Sequence, residues 1–297
     1  MYSNERSDNY MAEQMIFKRF EIKYMLNRAQ FKELYDEMKN YMIEDVHGKS
    51  TNCSLYFDTP HFLLVRRSME HPMYKEKLRV RSYGIADRNS TVFIELKKKY
   101  DSVTYKRRIA LNRDEMEKYL IEKTVNPDTQ ITHEIDYCMR QYKNLAPAIF
   151  LSYDRQAFYG KDDHEFRMTF DENIKWRNYD LALDKGFYGE PILNDEQIML
   201  EIKVANAMPM WLVRFLNDNH IYRTSFSKYA KAYEQLYMRQ GCKYKTICEE
   251  EQIKEEIEEK QIEEKQIEKK QIGEKLTEEQ IKEEQSKKLN GGLINYA

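Results

Sequence analysis

The segment Lys75-Glu-Lys-Leu-Arg-Val-Arg81 places a cationic side chain at every second position. Successive side chains of a β-strand point to opposite faces of the sheet, so the cations share one face and the apolar groups share the other. The members of this cationic face are Lys75, Lys77, Arg79 and Arg81. Like charges that lie together destabilise a sheet. The pattern therefore predicts a polyanionic, phosphate-rich ligand on this face.

Two segments further along the chain repeat the pattern after a turn that contains Gly84. In the run Thr91-Val-Phe-Ile-Glu-Leu-Lys97, the side chains of Glu95 and Lys97 share one face and the apolar groups share the other. In residues 106–111, Lys106 and Arg108 share a face in the same way. Three consecutive strands with one charged and one apolar face are therefore predicted.

Five other segments also alternate polar and apolar residues. The eight predicted strands lie around residues 17–25, 54–58, 75–82, 92–98, 105–111, 149–155, 166–171 and 198–204. Eight antiparallel strands can close into a barrel with one face pointing inward. An interior of Arg, Lys and Glu must hold water and anions, and the apolar outer face needs a cover. We therefore predict an α+β fold, an eight-stranded antiparallel β tunnel with helices packed outside.

The composition predicts one domain between less regular ends. Residues 1–14 are polar, without an apolar signal core, and are predicted to be a disordered leader. The tunnel domain is placed at residues 15–245, and a charged low-complexity tail, helical or disordered, at residues 246–297. Residues 249–288 contain 15 Glu and 9 Lys, a net charge of −6 within a chain total of −2. The remainder, at +4, lacks the strong basicity of a nucleic-acid binder.

The cysteines and the hydropathy of the sequence indicate the cellular compartment of the protein. The four cysteines have no metal-type spacing, and a disulfide framework is not expected in a chain of 297 residues. These cysteines are Cys53, Cys138, Cys242 and Cys248. No apolar run approaches the ~18 residues of a membrane span. We therefore expect a reducing, cytoplasmic location and no membrane segment.

Nine short motifs occur in order over residues 15–240 and carry a resemblance to a known family. They are Arg19-Phe-Glu-Ile-Lys-Tyr24, Leu55-Tyr-Phe-Asp-Thr59, Lys77-Leu-Arg-Val-Arg-Ser-Tyr-Gly84, Phe93-Ile-Glu-Leu-Lys-Lys98, Lys106-Arg-Arg108, Tyr153-Asp-Arg155, Arg167-Met-Thr-Phe-Asp171, Leu200-Glu-Ile-Lys203 and Phe226-Ser-Lys228. The chain resembles the VTC-type polyphosphate polymerase domain, a branch of the triphosphate tunnel metalloenzymes in the CYTH-like superfamily. That superfamily carries Glu-x-Glu-x-Lys on its first strand. Here Arg19 replaces the first Glu, which fits the polymerase branch better than the hydrolase branch.

The resemblance implies a tunnel that binds ATP or triphosphate, polyphosphate and a divalent metal, Mn²⁺ or Mg²⁺. Six matching cations are implied to act in catalysis: Lys23, Arg79, Arg81, Lys97, Arg155 and Lys203. Five residues are implied to bind substrate: Lys106, Arg108, Tyr153, Arg167 and Lys228. Glu201 matches the family's principal metal carboxylate.

The chemistry of these residue types agrees with that reading. Phosphoryl transfer needs positioning and neutralisation of phosphate charge, which Arg supplies by bidentate contacts and Lys by point charges. A Mg²⁺ or Mn²⁺ site needs only one or two carboxylates, because phosphate and water complete the shell. Glu21 and Glu95 are further candidate metal ligands on inward faces. For both, a salt bridge to a neighbouring Lys or Arg is an equally open interpretation.

The expected activity is polyphosphate synthesis, in which the γ-phosphoryl group of ATP is transferred to a growing chain. Two alternatives stay open: a metal-dependent triphosphate hydrolase on the same fold, and a module that binds polyphosphate without turnover. Product analysis with ATP and Mn²⁺ separates them as long chains, free phosphate or neither. A nucleic-acid partner is not expected, because the cations share faces with carboxylates instead of lying exposed among stacking aromatics.

The first testable prediction concerns the tail. Its Ile residues recur every five positions, at 257, 262, 267 and 272, and this period makes no continuous helical stripe that could pack on a domain. Deleting residues 249–297 should therefore leave the melting temperature and the turnover nearly unchanged. Differential scanning calorimetry of the full-length and the truncated protein checks the melting temperature. A large drop on truncation would show that the tail packs on the domain.

Overall fold

The computed structural model describes residues 20–70, 72–100, 103–122 and 129–240. Its strands are β1 (Phe20–Asn27), β2 (Met42–Asp58), β3 (Tyr74–Tyr83), β4 (Thr91–Tyr100), β5 (Val103–Asn112), β6 (Ala146–Gly160), β7 (Arg167–Arg177), β8 (Glu190–Pro191) and β9 (Gln197–Val204). Its helices are α1 (Arg28–Met38), α2 (Leu63–Met69), α3 (Arg113–Glu122), α4 (Gln130–Gln141), α5 (Met210–Asp218) and α6 (Lys228–Gln240). The predicted leader and tail, Arg19, Cys242 and Cys248 lie outside the described residues.

The strands form one antiparallel sheet in the order β1-β9-β7-β6-β2-β3-β4-β5, with the two-residue β8 pairing with β7. Each of the eight predicted strands corresponds to one of the eight long strands. The predicted fold class is thereby confirmed. The short β8 was not predicted, because two residues give no alternation to detect.

Strand register places the charged side chains on a common face. Glu21 lies opposite Lys203 on the β1–β9 pair, and Arg79 lies opposite Glu95 on the β3–β4 pair. Directly opposed residues of an antiparallel pair project from the same side of the sheet. We call this side the concave face. It is the side that carries Glu21, Arg79, Glu95 and Glu201 and the residues opposite them.

The sheet curls so strongly that its distant strands meet through side chains. Lys97 Nζ on β4 lies 3.7 Å from the carboxylate of Glu21 on β1, although five strands separate β1 from β4 in the sheet order. Within the part of the chain that the structure describes, β1 and β5 do not pair. Residues 223–228 instead connect β1 with β3 across the concave face. The Thr224 amide donates to the Lys23 carbonyl at 2.8 Å, and Lys77 Nζ donates to Ser227 Oγ at 3.2 Å.

Five helices cover the outer, apolar face of the sheet. Leu34 and Leu212, from α1 and α5, are fully buried in a cluster with the outward residues of β1, β7 and β9. Met116 of α3 and Ile135 of α4 are buried against the outward residues of β2, β3 and β4, together with α2. These contacts confirm the helical cover. Among the described residues no helix is long and apolar enough to cross a membrane, and the cytoplasmic location stays a prediction.

Helix α6 packs differently, because it reaches residues of the concave face. The ring of Tyr229 stacks on Tyr56 with centroids 4.4 Å apart, and Tyr56 lies opposite Arg79. The Tyr229 hydroxyl donates to Asp58 Oδ2 at 2.7 Å, and Asp58 also accepts from the amides of Leu64 and Val65 in α2. Asp58 therefore joins β2, α2 and α6 through one buried carboxylate. Burial raises the pKa of Asp58, and its hydrogen bonds oppose that rise.

The second prediction concerns this junction. Tyr229→Phe removes one hydroxyl donor from the buried Asp58 carboxylate, which should lower the free energy of unfolding by about 1–3 kcal/mol. Tyr237→Phe on the same helix is the matched control, because Tyr237 is 46% exposed and should tolerate the change. Urea unfolding of both variants measures the difference. Equal stabilities would show that Asp58 does not depend on Tyr229.

Candidate functional site

The structure brings the sequence-predicted site residues together. Thirteen of the fourteen lie on strands with their side chains on the concave face, and Lys228 reaches it from the start of α6. Arg167 lies at the edge of the group, where it donates to Asp45 at 2.8 Å. The structure places these side chains together, and their catalytic, substrate-binding and metal-binding roles stay predictions.

A first cluster surrounds Glu95 on β4, whose side chain is 1% exposed. Arg79 Nε donates to Glu95 Oε2 at 2.7 Å, Arg108 Nε donates to Oε1 at 2.6 Å, and Lys106 Nζ lies 2.8 Å from Oε1. Burial opposes ionisation, but the charges of Arg79, Arg81 and Lys106 hold the pKa of Glu95 far below its usual range. Both carboxylate oxygens are thus engaged by cations. These contacts favour the salt-bridge interpretation of Glu95 over metal ligation.

A second cluster centres on Asp171, which is fully buried on β7. Arg155 makes a bidentate contact with Asp171 at 2.6 and 2.7 Å, and Lys228 Nζ donates to Asp171 Oδ2 at 2.5 Å. Lys228 also lies 4.5 Å from the centroid of the Tyr153 ring. Burial raises the pKa of Asp171, but the charges of Arg155 and Lys228 outweigh it and keep the pKa below its usual value. Asp171 therefore orients two cations predicted to act on substrate.

A third cluster lies on the β1–β9 pair. Lys203 Nζ is 2.9 Å from Glu201 Oε1, and Arg155 is 3.8 Å from Glu201 Oε2. Lys23 Nζ is 3.2 Å from Glu21 and donates to the Phe226 carbonyl at 3.0 Å. Burial raises the pKa of Glu201, but Lys203, Arg155 and Lys23 hold it well below the usual value. Glu201 raises the pKa of Glu21 by repulsion, and Lys97 and Lys23 outweigh this effect and that of burial. Both carboxylates are therefore ionised at neutral pH.

The donor set around Glu201 fits a hard divalent cation. Glu201 and Glu21 supply carboxylate oxygens on neighbouring strands. Among the described residues, Glu201 Oε2 has one ion-pair contact, to Arg155 at 3.8 Å. Glu21 pairs with Lys23 at 3.2 Å and with Lys97 at 3.7 Å, so its salt-bridge interpretation is also met and Glu201 is the stronger metal candidate. Thr169, directly opposite Glu201, has a buried hydroxyl for which the described part of the chain offers no hydrogen-bond partner. In the described ranges no group of three or more Asp, Glu, His or Cys is arranged around one point. A metal held here would therefore take most of its shell from phosphate and water.

Two cations near the middle of the concave face, Arg81 and Lys77, have hydroxyl and not carboxylate partners among the described residues. Arg81, 7% exposed, donates to the hydroxyls of Ser54 at 3.3 Å and Tyr153 at 3.0 Å. Lys77 donates only to Ser227. Burying a cation costs free energy unless a counter-charge is present. An anion bound on the concave face would supply that counter-charge.

Burial and neighbouring cations shift the pKa values of Lys77 and Tyr56 on the concave face. Burial lowers the pKa of Lys77 to about 8, and the charges of Lys75, Lys97 and Lys23 add to the effect. Burial raises the pKa of Tyr56, yet Arg79, Arg81 and Lys77 outweigh it and lower the pKa to about 8. For Tyr56 the cations outweigh burial, so its lowered pKa indicates a positive potential that would stabilise an anion; for Lys77 burial is the larger cause.

The site predictions missed several residues that the structure places on the concave face. They are Ser54, Tyr56, Thr169, Asp171 and Ser227, whereas Lys77 was predicted on the anion-binding face without a specific role. The alternation of Lys77 with Arg79 and of Asp171 with Arg167 was visible in the sequence. The roles of Tyr56 and Ser227 depend on how residues 226–229 approach the sheet, for which the sequence contains no signal.

A family model describes the VTC domain, and it matches residues 18–237 of the chain. The chain belongs to the VTC domain family. The family prediction is therefore confirmed over the tunnel. No curated protein was found to match the sequence of this VTC domain protein.

Three solved structures match the VTC domain protein at low identity. A Bacillus halodurans protein with a provisional description as an adenylate cyclase is 14% identical, with a TM-score of 0.45, over 70% of this chain and 92% of that chain. A Vibrio parahaemolyticus protein with the same description is 12% identical, with a TM-score of 0.39, over 72% and 97%. The PH1819 protein of Pyrococcus horikoshii is 10% identical, with a TM-score of 0.35, over 73% and 99%.

The third prediction concerns pH. Raising the pH through about 8 removes a proton from Lys77 and from Tyr56, and each loss makes the concave face less positive. The affinity for inorganic triphosphate should therefore fall between pH 7 and pH 9, by at most about one decade per pH unit for each group. Isothermal titration calorimetry at several pH values measures the profile.

Substitutions of Lys77 and Tyr56 test whether these two groups cause the pH dependence of triphosphate binding. Lys77→Met should weaken binding at pH 7 and flatten the profile, and Tyr56→Phe should remove the remainder. Lys98→Met is the control, because Lys98 lies on the outer face of β4 with Glu134 at 3.3 Å. An unchanged pH profile in the Lys77→Met, Tyr56→Phe double variant would contradict the assignment.

Proposed function

We propose that this VTC domain is a polyphosphate polymerase that transfers the γ-phosphoryl group of ATP to a growing polyphosphate chain. The proposal rests on one observation above all. The concave face of β3 carries Lys75, Lys77, Arg79 and Arg81 at every second residue, a row about 20 Å long at the usual rise. Two of these cations, Lys77 and Arg81, have only hydroxyl partners in the described part of the chain. Such a row can hold more phosphates than one triphosphate contains.

The reaction needs charge neutralisation more than covalent help from the protein. The bond between the γ-phosphorus of ATP and its bridging oxygen breaks, a terminal oxygen of the acceptor chain forms the new bond to that phosphorus, and ADP leaves. Negative charge on the phosphate oxygens is neutralised by the surrounding cations. Arg79, Arg81 and Arg155 are held by hydrogen bonds that fix their planar groups before substrate arrives. Fixed donors reduce the reorganisation that binding requires.

The carboxylates favour transfer to phosphate over transfer to water. A terminal phosphate oxygen is already anionic, so it needs no general base, whereas water is activated by one. Within the described residues, Glu95, Asp171 and Glu201 all contact cations and are held ionised by them. A carboxylate with such a low pKa is a weak base. The triphosphate hydrolase therefore ranks second, and a binding module without turnover ranks third.

Glu201, with Glu21 beside it, is the proposed holder of a Mn²⁺ or Mg²⁺ ion. A bound ion would supply Lewis-acid neutralisation of phosphate oxygens. Glu95 is proposed to act as an internal counter-charge for Arg79, Lys106 and Arg108 instead. Lys203 and Lys23 would hold the two metal carboxylates in place and contact phosphate.

The fourth prediction tests the carboxylate. Glu201→Gln keeps the size of the side chain and removes its charge, so activity with ATP and Mn²⁺ should fall at least ~100-fold while the fold is retained. Gel analysis of the products separates long chains from free phosphate. Glu196→Gln is the matched control, because Glu196 is exposed and precedes the same strand, β9.

Each product pattern has a definite meaning. The polymerase is supported if the wild type and the control make long chains. Glu201→Gln should then make neither long chains nor free phosphate. Free phosphate without long chains would show that the protein is a triphosphate hydrolase and not a polymerase. Unchanged synthesis by Glu201→Gln would show that this carboxylate does not hold the metal.

A further inference from the structure

The cationic row of β3 ends in an aromatic residue on the same face. Tyr83 follows Arg81 by two residues, about 7 Å further along the strand, and lies at the last position of β3. Phe93, directly opposite Arg81 on β4, has its ring 5.7 Å from that of Tyr83 at 69°. The guanidinium of Arg108 lies 4.3 Å from the centroid of Phe93 and donates to the Tyr83 hydroxyl at 3.1 Å. Tyr83 is therefore held in place by two neighbours.

Among the described residues, the T-shaped contact with Phe93 can cover at most one face of the Tyr83 ring, so part of the ring is open. Phe93 meets Tyr83 in an edge geometry, and Arg108 covers the ring of Phe93 and contacts only the hydroxyl of Tyr83. The side chain of Tyr83 is 52% exposed. A half-exposed, oriented aromatic ring beside phosphate-binding cations can stack on another flat ring.

A second, independent observation lies beside Tyr83. Asn52 is directly opposite Tyr83 on the β2–β3 pair and directly opposite Tyr153 on the β2–β6 pair. It is 1% exposed, and its side-chain amide nitrogen has no hydrogen-bond partner among the residues that the structure describes. A buried donor without a partner costs free energy, so a ligand acceptor at this place would recover that cost.

The other end of the cationic row, at Lys75, has neither an aromatic ring nor an unpaired amide among its described residues. The concave face there carries Lys75, Lys99 and Thr104, with no aromatic ring among them. Lysine ammonium groups are point charges on flexible stems and impose no orientation, which suits a repeating polyanion. The row is thus asymmetric, with lysines at one end and an arginine, an open ring and an unsatisfied amide at the other.

We propose that Tyr83 and Asn52 bind the nucleoside part of the nucleotide substrate, with Tyr83 stacking on the base and Asn52 donating to the nucleoside. This inference rests on the proposed function, because it takes ATP as the donor. The triphosphate then lies along Arg81 and Arg79, and the polyphosphate chain extends toward Lys77 and Lys75.

One other aromatic residue of the concave face competes for this role. Tyr159 lies opposite Arg167 on β7. Its ring is already stacked on His164 with centroids 4.7 Å apart, and Arg167 is engaged by Asp45. Tyr83 is therefore favoured, and Tyr159 serves as an alternative in the test.

The test compares two probes that differ only in the nucleoside. The affinities of ATP and of inorganic triphosphate are measured by isothermal titration calorimetry under one set of conditions. Tyr83→Leu should weaken ATP binding at least ~5-fold, the low end for loss of a stacked ring, and leave inorganic triphosphate within twofold. Asn52→Leu should weaken ATP selectively too, and its melting temperature should equal or exceed that of the wild type. Tyr100→Leu is the matched control, because Tyr100 is 53% exposed on the outer side of β4 and should bind both probes normally.

The outcomes separate this inference from the proposed function. Equal weakening of ATP and triphosphate by Tyr83→Leu would overturn the nucleoside site, even if polyphosphate synthesis were observed. A selective loss in Tyr159→Leu instead would also overturn it. An absence of any ATP binding by the wild type would overturn the proposed function. Tyr83→Phe, which keeps the ring and removes the hydroxyl, should retain the preference for ATP.

Discussion

The ion pair network around Glu95 is the interaction on which the rest of the concave face depends. Strands β3 and β5, on either side of β4, bring Arg79, Lys106 and Arg108 to one side of the sheet, and their mutual repulsion would oppose folding without a counter-charge. A single buried carboxylate on the central strand neutralises part of that charge. Asp171 does the same for Arg155 and Lys228. The internal carboxylates therefore permit a cationic surface to form before any ligand is bound.

The same network explains why positive charge remains available. Each carboxylate contacts at least two cations, so the clusters stay net positive, and Arg81 and Lys77 have only hydroxyl partners in the described ranges. Their burial is unfavourable in the absence of an anion. A phosphate bound on the concave face would recover that free energy. The hydrogen bonds of Arg81 orient its guanidinium in advance.

The alternation of residues predicted much of this architecture. A period of two at Lys75 to Arg81 and in seven other segments placed the strands and identified the charged face, because side-chain direction in a strand is a local property. Which carboxylate contacts which cation could not be predicted, since Lys228 and Asp171 are 57 residues apart. The approach of Tyr229 to Tyr56 depends on the curl of the whole sheet. The ion pairs of Glu95 likewise became visible only with the register of β3, β4 and β5.

We propose that the concave face binds anions in the absence of nucleotide and metal. The most direct measurement is the melting temperature with and without millimolar inorganic triphosphate, for the wild type and for Arg81→Met. A ligand that binds only the folded state raises its melting temperature. The account predicts a clear rise for the wild type, a smaller rise for Arg81→Met, and an equal or higher melting temperature for ligand-free Arg81→Met. Arg107→Met, which changes a cation of the outer face paired with Glu134, should keep the full rise. A wild-type melting curve that triphosphate does not shift would contradict the account.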